Sequence, residues 1–442
     1  MNLQKYFNKT RQEYQEAYDM LAFYLADEGQ DSAEYQLQSF AEIWEDAVTD
    51  IPYYKKLVST RKAPRKIKSW DDFKEIPELT RDIVHNNRAE LIRYKSKPPL
   101  LRMTGGSTGN PMQFGVSREE GRRIRLLKLI LWIRAGYKID SNIFLLWGHT
   151  HLLGNGIRKY RNMLVRGVKD ILLGYTRVDA HHLGIETCRK YAQKLLSSKA
   201  NAVIGYTAAI DQFTRSIPEF RERIRELNLT FVMTCSEMAP REDTYSILSD
   251  YFGCPIIQEY GGVDLGQIAM KYHDEPFKVF HRENIVESLD AEAEKESSPV
   301  LVTTTYKRYF PLIRYRAGDL LQGCKLNTQG NVISFKSLSG RENDVVTLPN
   351  GEILHSLSFL HCIREEKEVH QVQLILEDHG MEILLVVSMS YSEEVEKRIR
   401  VRLLKLSSSL TNFSIRTTND LSTTIAGKRS WVIDRRKRNA GA

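Results

Sequence analysis

The sequence contains no apolar run approaching the roughly 18 residues that would span a bilayer. Its apolar patches, such as those at 143–147 and 383–387, are strand-sized. Cysteine is scarce: Cys188, Cys235, Cys254, Cys324 and Cys362 lie far apart, with no CxxC pair and no Cys/His ligand spacing. That spacing favours a reducing cytoplasm and gives no support for a structural zinc site. The first twenty residues are polar and mixed in charge, unlike a secretory signal. With 26 Gly and 13 Pro and no periodic or low-complexity stretch, collagen-like and largely disordered chains are ruled out. Zinc-finger, RNP-type and helix-turn-helix patterns are missing too, so nucleic acid is not an expected partner.

What is present is an ordinary folded composition, 42% hydrophobic and 27% charged. At 442 residues the chain is too long for one core and predicts two to four domains. Lys and Arg number 64 against 56 Asp and Glu, a net charge of +8. Such an excess suits anionic partners: nucleotides, CoA, an acidic carrier protein or an anionic membrane face. It equally suits a plain solvated basic surface. Basic residues crowd 121–134, 157–169 and 429–438.

Residues 1–95 read as helical, with apolar positions at helical spacing and a helix start at Ser69-Trp70-Asp71-Asp72 interrupted by Pro77. From about 100 to 340, short β-rich runs (142–147, 202–205, 229–234, 255–259, 300–305) alternate with helical stretches such as 186–197 and 241–251. That alternation predicts an α/β domain built on largely parallel sheet. Beyond 340 a small α+β unit is expected. In it, 369–376 and 382–387 pair across Asp378-His379-Gly380, and a helix follows from Ser392 to about Leu406. Ser339-Gly340 and the charged run Arg341 to Asp344 read as a linker between a domain of residues 1–340 and one of 341–442. The acidic stretch 290–298 reads as an exposed loop.

The first chemical signal is Thr104-Gly105-Gly106-Ser107-Thr108-Gly109. Three glycines allow close backbone approach, and the hydroxyls add donors suited to phosphate oxygens. No Lys follows the last glycine, so this is not a Walker A loop, and the dinucleotide spacing is missing. Alone, such a segment is more often a hairpin turn. Four further segments bear on the choice: Tyr260-Gly261-Gly262-Val263-Asp264, Arg314 to Leu320 with Asp319 after Gly318, Gly340-Arg341-Glu342-Asn343, and Gly427-Lys428.

In this order and at these separations the motifs resemble those of the adenylate-forming superfamily. Asp50 to Lys55 and Phe73 to Thr80 are similar to N-terminal signatures of its phenylacetate-CoA ligase branch, which includes CapK-type proteins. The resemblance implies an acyl-CoA synthetase-like fold, with a large α/β domain and a small mobile α+β lid. It implies an enzyme that activates a small carboxylic acid with ATP and Mg²⁺ as acyl-AMP, then transfers it to CoA or to a carrier-protein phosphopantetheine. Transfer to an amine, or a non-catalytic basic scaffold in polysaccharide assembly, are the alternatives.

Carried over residue by residue, Thr104, Gly105, Gly106, Ser107, Thr108 and Gly109 would cradle the β- and γ-phosphates. Tyr260, Gly261 and Gly262 would flank the adenine, Asp264 would bind the metal, and Asp319 the ribose hydroxyls. Arg341 would touch phosphate or ribose, Asn343 would be the hinge, and Lys428 would bridge carboxylate and α-phosphate. This chain departs from the family pattern at Gly105, Asn110, Val263, Asp264 and Asn343, where Ser, Lys, Thr, Glu and Asp are usual. His149 and His151 follow a predicted strand and read as pocket-lining or ordinary loop histidines.

Lys428 follows a glycine, and its charge would offset two anions that repel as they approach. Lys428→Ala should therefore slow pyrophosphate exchange by on the order of 10²- to 10³-fold, while transfer from preformed acyl-AMP is spared. Exchange within a few-fold of wild type would instead place Lys428 with the basic residues 429–438.

Overall fold

The computed structural model of the protein describes residues 3–26, 32–93, 100–103, 113–147, 156–180, 183–235, 238–290, 297–341, 345–348, 353–355, 359, 362–363, 365–378, 380–407, 410–419, 421–422 and 432–436.

In the helix Ala33–Asp50, the buried side chains Ala33, Gln36, Phe40, Trp44, Ala47 and Val48 recur at three- and four-residue spacing, giving it one apolar face. Pro52 then starts the helix Pro52–Ser59, where a missing N–H costs nothing. The expected start at Ser69 is a capping box. The Asp72 N–H donates to Ser69 Oγ at 3.1 Å, and the Ser69 N–H donates to Asp72 Oδ2 at 2.9 Å. Rings of Phe40 and Phe73 meet edge-on at 4.8 Å, and those of Trp44 and Tyr54 at 5.7 Å.

These helices share one core with the sheets rather than forming a unit of their own. The Tyr54 hydroxyl donates to the Pro311 carbonyl at 3.0 Å. Leu79 lies parallel to Tyr315, its N–H donating to the Arg314 carbonyl at 2.9 Å and its carbonyl accepting from the Arg316 N–H at 3.1 Å. Arg314 completes the join, forking onto buried Glu287 and donating to the carbonyls of Lys74 and Ile76. Both N-terminal signatures thus act as a scaffold for the segment 311–316.

A central sheet of nine strands runs through the described residues, in the order 325–326, 332–335, 277–279, 266–272, 256–262, 231–235, 202–206, 143–146, 175–178. The last five of that order are parallel, as the strand–helix alternation predicted. Helices cover both faces: Arg118–Arg134 with Leu3–Ala26 on one, and Ile185–Ser197, Thr207–Ser216 and Thr244–Phe252 on the other. Three expectations are corrected. The run at 300–305 belongs to Ser297–Thr304, which joins a separate antiparallel sheet ordered 284–288, 297–304, 315–322, 337–341, because its neighbours return by short connections. For the same reason Ser297 and Ser298 are strand residues, and Ser298 is buried, not exposed loop. Ser339 and Gly340 sit in the strand Ser337–Arg341 of that sheet, not in a linker.

At the C-terminal end, Val369–Glu377 and Gly380–Val387 pair antiparallel, flanked by Phe413–Thr417 and Val432–Asp434. The helix Glu393–Leu406 buries Val395, Ile399 and Leu403 against them. Cys188, Cys235, Cys254 and Cys324 are buried, and Cys362 is half-buried. Burial pushes the thiols of Cys188 and Cys324 up to about 11 and that of Cys254 up to about 12.

Trp44 lies at the centre of the shared core, whereas Ser69 supplies a cap at its margin. Trp44→Ala should lower unfolding free energy by about 3–5 kcal/mol, and Ser69→Ala by about 1 kcal/mol. Urea denaturation of both variants checks this. Similar small losses would contradict the shared core.

Candidate active site

Parallel strands in such a sheet end on the same side, and ligand groups gather outside those carboxyl ends. Here the ends are Leu146, Val178, Tyr206, Cys235 and the extended tip of Ile256–Gly262. Trp147 and Tyr206, just past two of them, bring their rings to 4.6 Å. Thr207, Thr234 and Tyr245 form a hydroxyl cluster beside them. Burial, only partly offset by Thr234 and Thr207, raises the Tyr245 phenol to about 12.

The tip of Ile256–Gly262 folds back on Gly266–Tyr272 with Gly261 opposite Gln267 and Gly262 opposite Gly266. A Cβ on Gly261 would stand 2.2 Å from the Gly266 carbonyl oxygen, and one on Gly262 would stand 2.4 Å from Asp264 Oδ1. Gly261 therefore needs glycine for the turn itself, whereas at Gly262 a Cβ would displace only the Asp264 carboxylate, and both leave their backbone exposed. Tyr260 is buried, its ring edge-on to Phe335 at 5.8 Å, and its hydroxyl donates to Asp319 Oδ2 at 3.0 Å. Asp319 follows Gly318, whose φ of +76 turns the strand Tyr315–Gln322, and it lies directly opposite Arg341 in the neighbouring strand. Tyr260, Asp319 and Arg341, scattered over 82 sequence positions, are thus brought to one place. Asp264 is half-buried and accepts from the Leu265 N–H at 3.1 Å. Thr104 to Gly109, Asn110, His149, His151, Asn343 and Lys428 lie outside the described residues. The hairpin Leu100–Met103 with Gln113–Val116, which bounds the glycine segment, is described.

Beneath this tip lies a charged centre that the sequence did not announce. Arg308 and Glu120 are fully buried and bonded, Nε to Oε1, at 2.8 Å. Glu120 Oε2 accepts from the Tyr309 N–H at 3.1 Å, and the Arg308 guanidinium also donates to the Asp264 carbonyl. Burial alone would lower the Arg308 pKa; Tyr306 and Glu120 outweigh it, so the guanidinium is held above its usual value. Arg102, next but one before Thr104, lies close enough to feel Glu120 and Arg308, and burial holds it below its usual value. A second bidentate pair, Arg123 with Glu283 at 2.9 Å, flanks Tyr306 and receives the Tyr24 hydroxyl. Ser117-Arg118-Glu119-Glu120 carries the capping-box spacing, a helix-start signal, and Ser117 Oγ does accept from the Glu120 N–H. The Glu120 carboxylate instead turns inward to Arg308, and nothing local in the sequence marks Arg308.

The C-terminal sheet touches the large domain through Arg241, which donates to His370 Nδ1 at 3.0 Å and to the Lys367 carbonyl at 2.9 Å. Because a guanidinium only donates, that ring nitrogen must be unprotonated. Burial, then Arg241, holds the imidazole below its usual pKa, in keeping with that role.

In sequence the chain is 24% identical over 424 residues to protein CapK of Staphylococcus aureus, covering 91% of this chain and 89% of that one. No family model matches. In structure it is similar to 2-hydroxyisobutyryl-CoA ligase in its postadenylation state, with a TM-score of 0.69 at 14% identity over 92% of this chain and 91% of that one. The chain has the adenylate-forming ligase fold. An open conformation of the same ligase, bound to 2-HIB-AMP and CoA, superposes less well, with a TM-score of 0.58 at 14% identity over 91% of both chains.

Removing one partner of a buried ion pair leaves an uncompensated charge. Glu120→Ala should cost about 3–5 kcal/mol, measured by urea unfolding. Glu120→Ala with wild-type stability would contradict the buried pairing.

Proposed function

We propose that the protein is an AMP-forming acid–thiol ligase. It activates a small carboxylic acid with ATP, releasing pyrophosphate, and passes the acyl group from acyl-AMP to CoA or a carrier phosphopantetheine. The observation that carries this reading is the Tyr260–Asp319–Arg341 constellation at the carboxyl end of the central sheet. A carboxylate aimed by a phenolic donor is a short, fixed acceptor suited to ribose hydroxyls. The bare backbone of Gly261 and Gly262 suits close approach of a flat base. Thr104 to Gly109 would supply N–H and hydroxyl donors to the β- and γ-phosphates, as expected from their composition.

Asp264 fits a magnesium ion in chemistry and place. Magnesium prefers hard oxygen ligands, commonly one or two carboxylates with substrate phosphates and water. When bound, the ion would neutralise phosphate charge. The chain's own contribution is to hold the Asp264 turn through Arg308 and to aim Asp319 through Tyr260. Residues 1–340 would form the large domain and 341–442 a lid turning about Asn343, so that Lys428 enters for adenylation and leaves for transfer. An aryl acid is the default substrate of the phenylacetate-CoA ligase branch, whereas a small hydroxy or amino acid would suit surface-polysaccharide modification; the similarity to CapK supports the polysaccharide role.

Incubation with ATP, magnesium and a panel of carboxylic acids should yield AMP and pyrophosphate, separable by ion-exchange chromatography. Asp319→Asn should raise the KM for ATP by about 10- to 100-fold. ADP as the main product, or no turnover with any acid, would overturn the proposal.

A further inference from the structure

The helix Gly156–Leu172 sits at the outer side of Tyr175–Val178, the edge strand of the central sheet, and it sits there inside out. Its row Asn162, Arg166 and Asp170, spaced by four, faces the protein and is half-buried. Asp170 forks onto Arg177 of the edge strand at 2.9 and 3.0 Å. The opposite row points to solvent: Tyr160 is 71% exposed, Leu164 72% and Ile171 80%, with Met163, Val165 and Val168 about half-exposed beside them. An amphipathic helix on a globular protein ordinarily buries the apolar stripe and exposes the polar one. Six large apolar side chains on one convex helix make a patch that calls for a cover.

Charge decides which cover. The helix carries Arg158, Lys159, Arg161, Arg166 and Lys169 against a single acid, Asp170, and that acid is turned inward onto Arg177. Arg161 and Lys169 are exposed alongside the apolar row. A second copy of the chain would bring two cation-fringed helices together, with no acid on the exposed row to offset them. A surface of anionic phospholipid meets both demands at once, taking the apolar row into the acyl boundary and the Lys and Arg side chains among the headgroups. No helix among the described residues is long and apolar enough to cross a membrane, so contact would be along the surface.

We propose that the helix Gly156–Leu172 is a membrane-surface anchor that lays Tyr160, Leu164, Val168 and Ile171 into a bilayer rich in anionic lipid. The full-length chain is mixed with phosphatidylglycerol or phosphatidylcholine vesicles and sedimented. Binding to phosphatidylglycerol should exceed that to phosphatidylcholine by at least ~10-fold, and should weaken at high salt. The double variant Leu164→Asp/Ile171→Asp should lose at least ~10-fold in vesicle binding while keeping its melting temperature and its activity in solution. Arg161→Glu/Lys169→Glu should lose binding to phosphatidylglycerol alone. Wild-type binding that ignores lipid charge, or is unchanged in both variants, overturns the proposal. A wild-type dimer in ultracentrifugation that Leu164→Asp/Ile171→Asp dissociates without vesicles would assign the face to a second copy, and retention of the helix on an acidic protein but not on vesicles would assign it to such a partner.

Discussion

The buried pair of Glu120 and Arg308 is the constraint on which the rest of the site depends. Two charges removed from water must satisfy each other and their remaining hydrogen-bonding capacity, or the cost of desolvation prevails. Here the remaining capacity is spent on the main chain, at the Tyr309 N–H and the Asp264 carbonyl. One ion pair therefore fixes the first turn of the helix Arg118–Arg134, the segment 306–310 and the turn between two central strands. The hairpin that leads into the glycine segment comes under the same field through Arg102. Replacing the pair with apolar residues would fill the space but would not hold the Asp264 backbone.

Around that centre, the N-terminal helices act as a buttress. Arg314, Tyr54 and Leu79 tie them to the chain just ahead of Asp319. A long, partly buried connection of this kind explains why residues far from the carboxyl ends of the parallel strands carry recognisable patterns. They set the path of the strand that presents the carboxylate, and Tyr260 then sets its orientation.

Much of this was legible in the sequence. The parallel strands at 142–147, 202–205, 229–234 and 255–259 were marked by short β-rich runs between helical stretches, and the hairpin across Asp378 to Gly380 by its alternation. Tyr260, Asp319 and Arg341 were singled out by motif, and the fold brings them together. Tertiary pairing hid the rest. Strand direction at 297–304 depends on what returns beside it, and the flexible-looking pair Ser339-Gly340 is held by a ladder with Tyr315–Gln322. The Glu120–Arg308 pair spans 188 positions, so no local pattern could have revealed it. The outward apolar row of Gly156–Leu172 has a helical period that reads the same whether it is buried or exposed.

The state of the cysteines has a chemical consequence for the proposed ligase, which would handle activated acyl groups. A mixed anhydride acylates any thiolate it can reach. With thiols at about 11 and 12, the ionised fraction of Cys188, Cys324 and Cys254 at neutral pH is about one part in 10⁴ or less. Cys235, at the carboxyl end of its strand and nearest the site, is buried and donates its S–H to the Gly205 carbonyl at 3.4 Å. On the proposed reading, these four cysteines would offer an acyl-AMP little nucleophilic sulfur, leaving the acyl group for an incoming thiol.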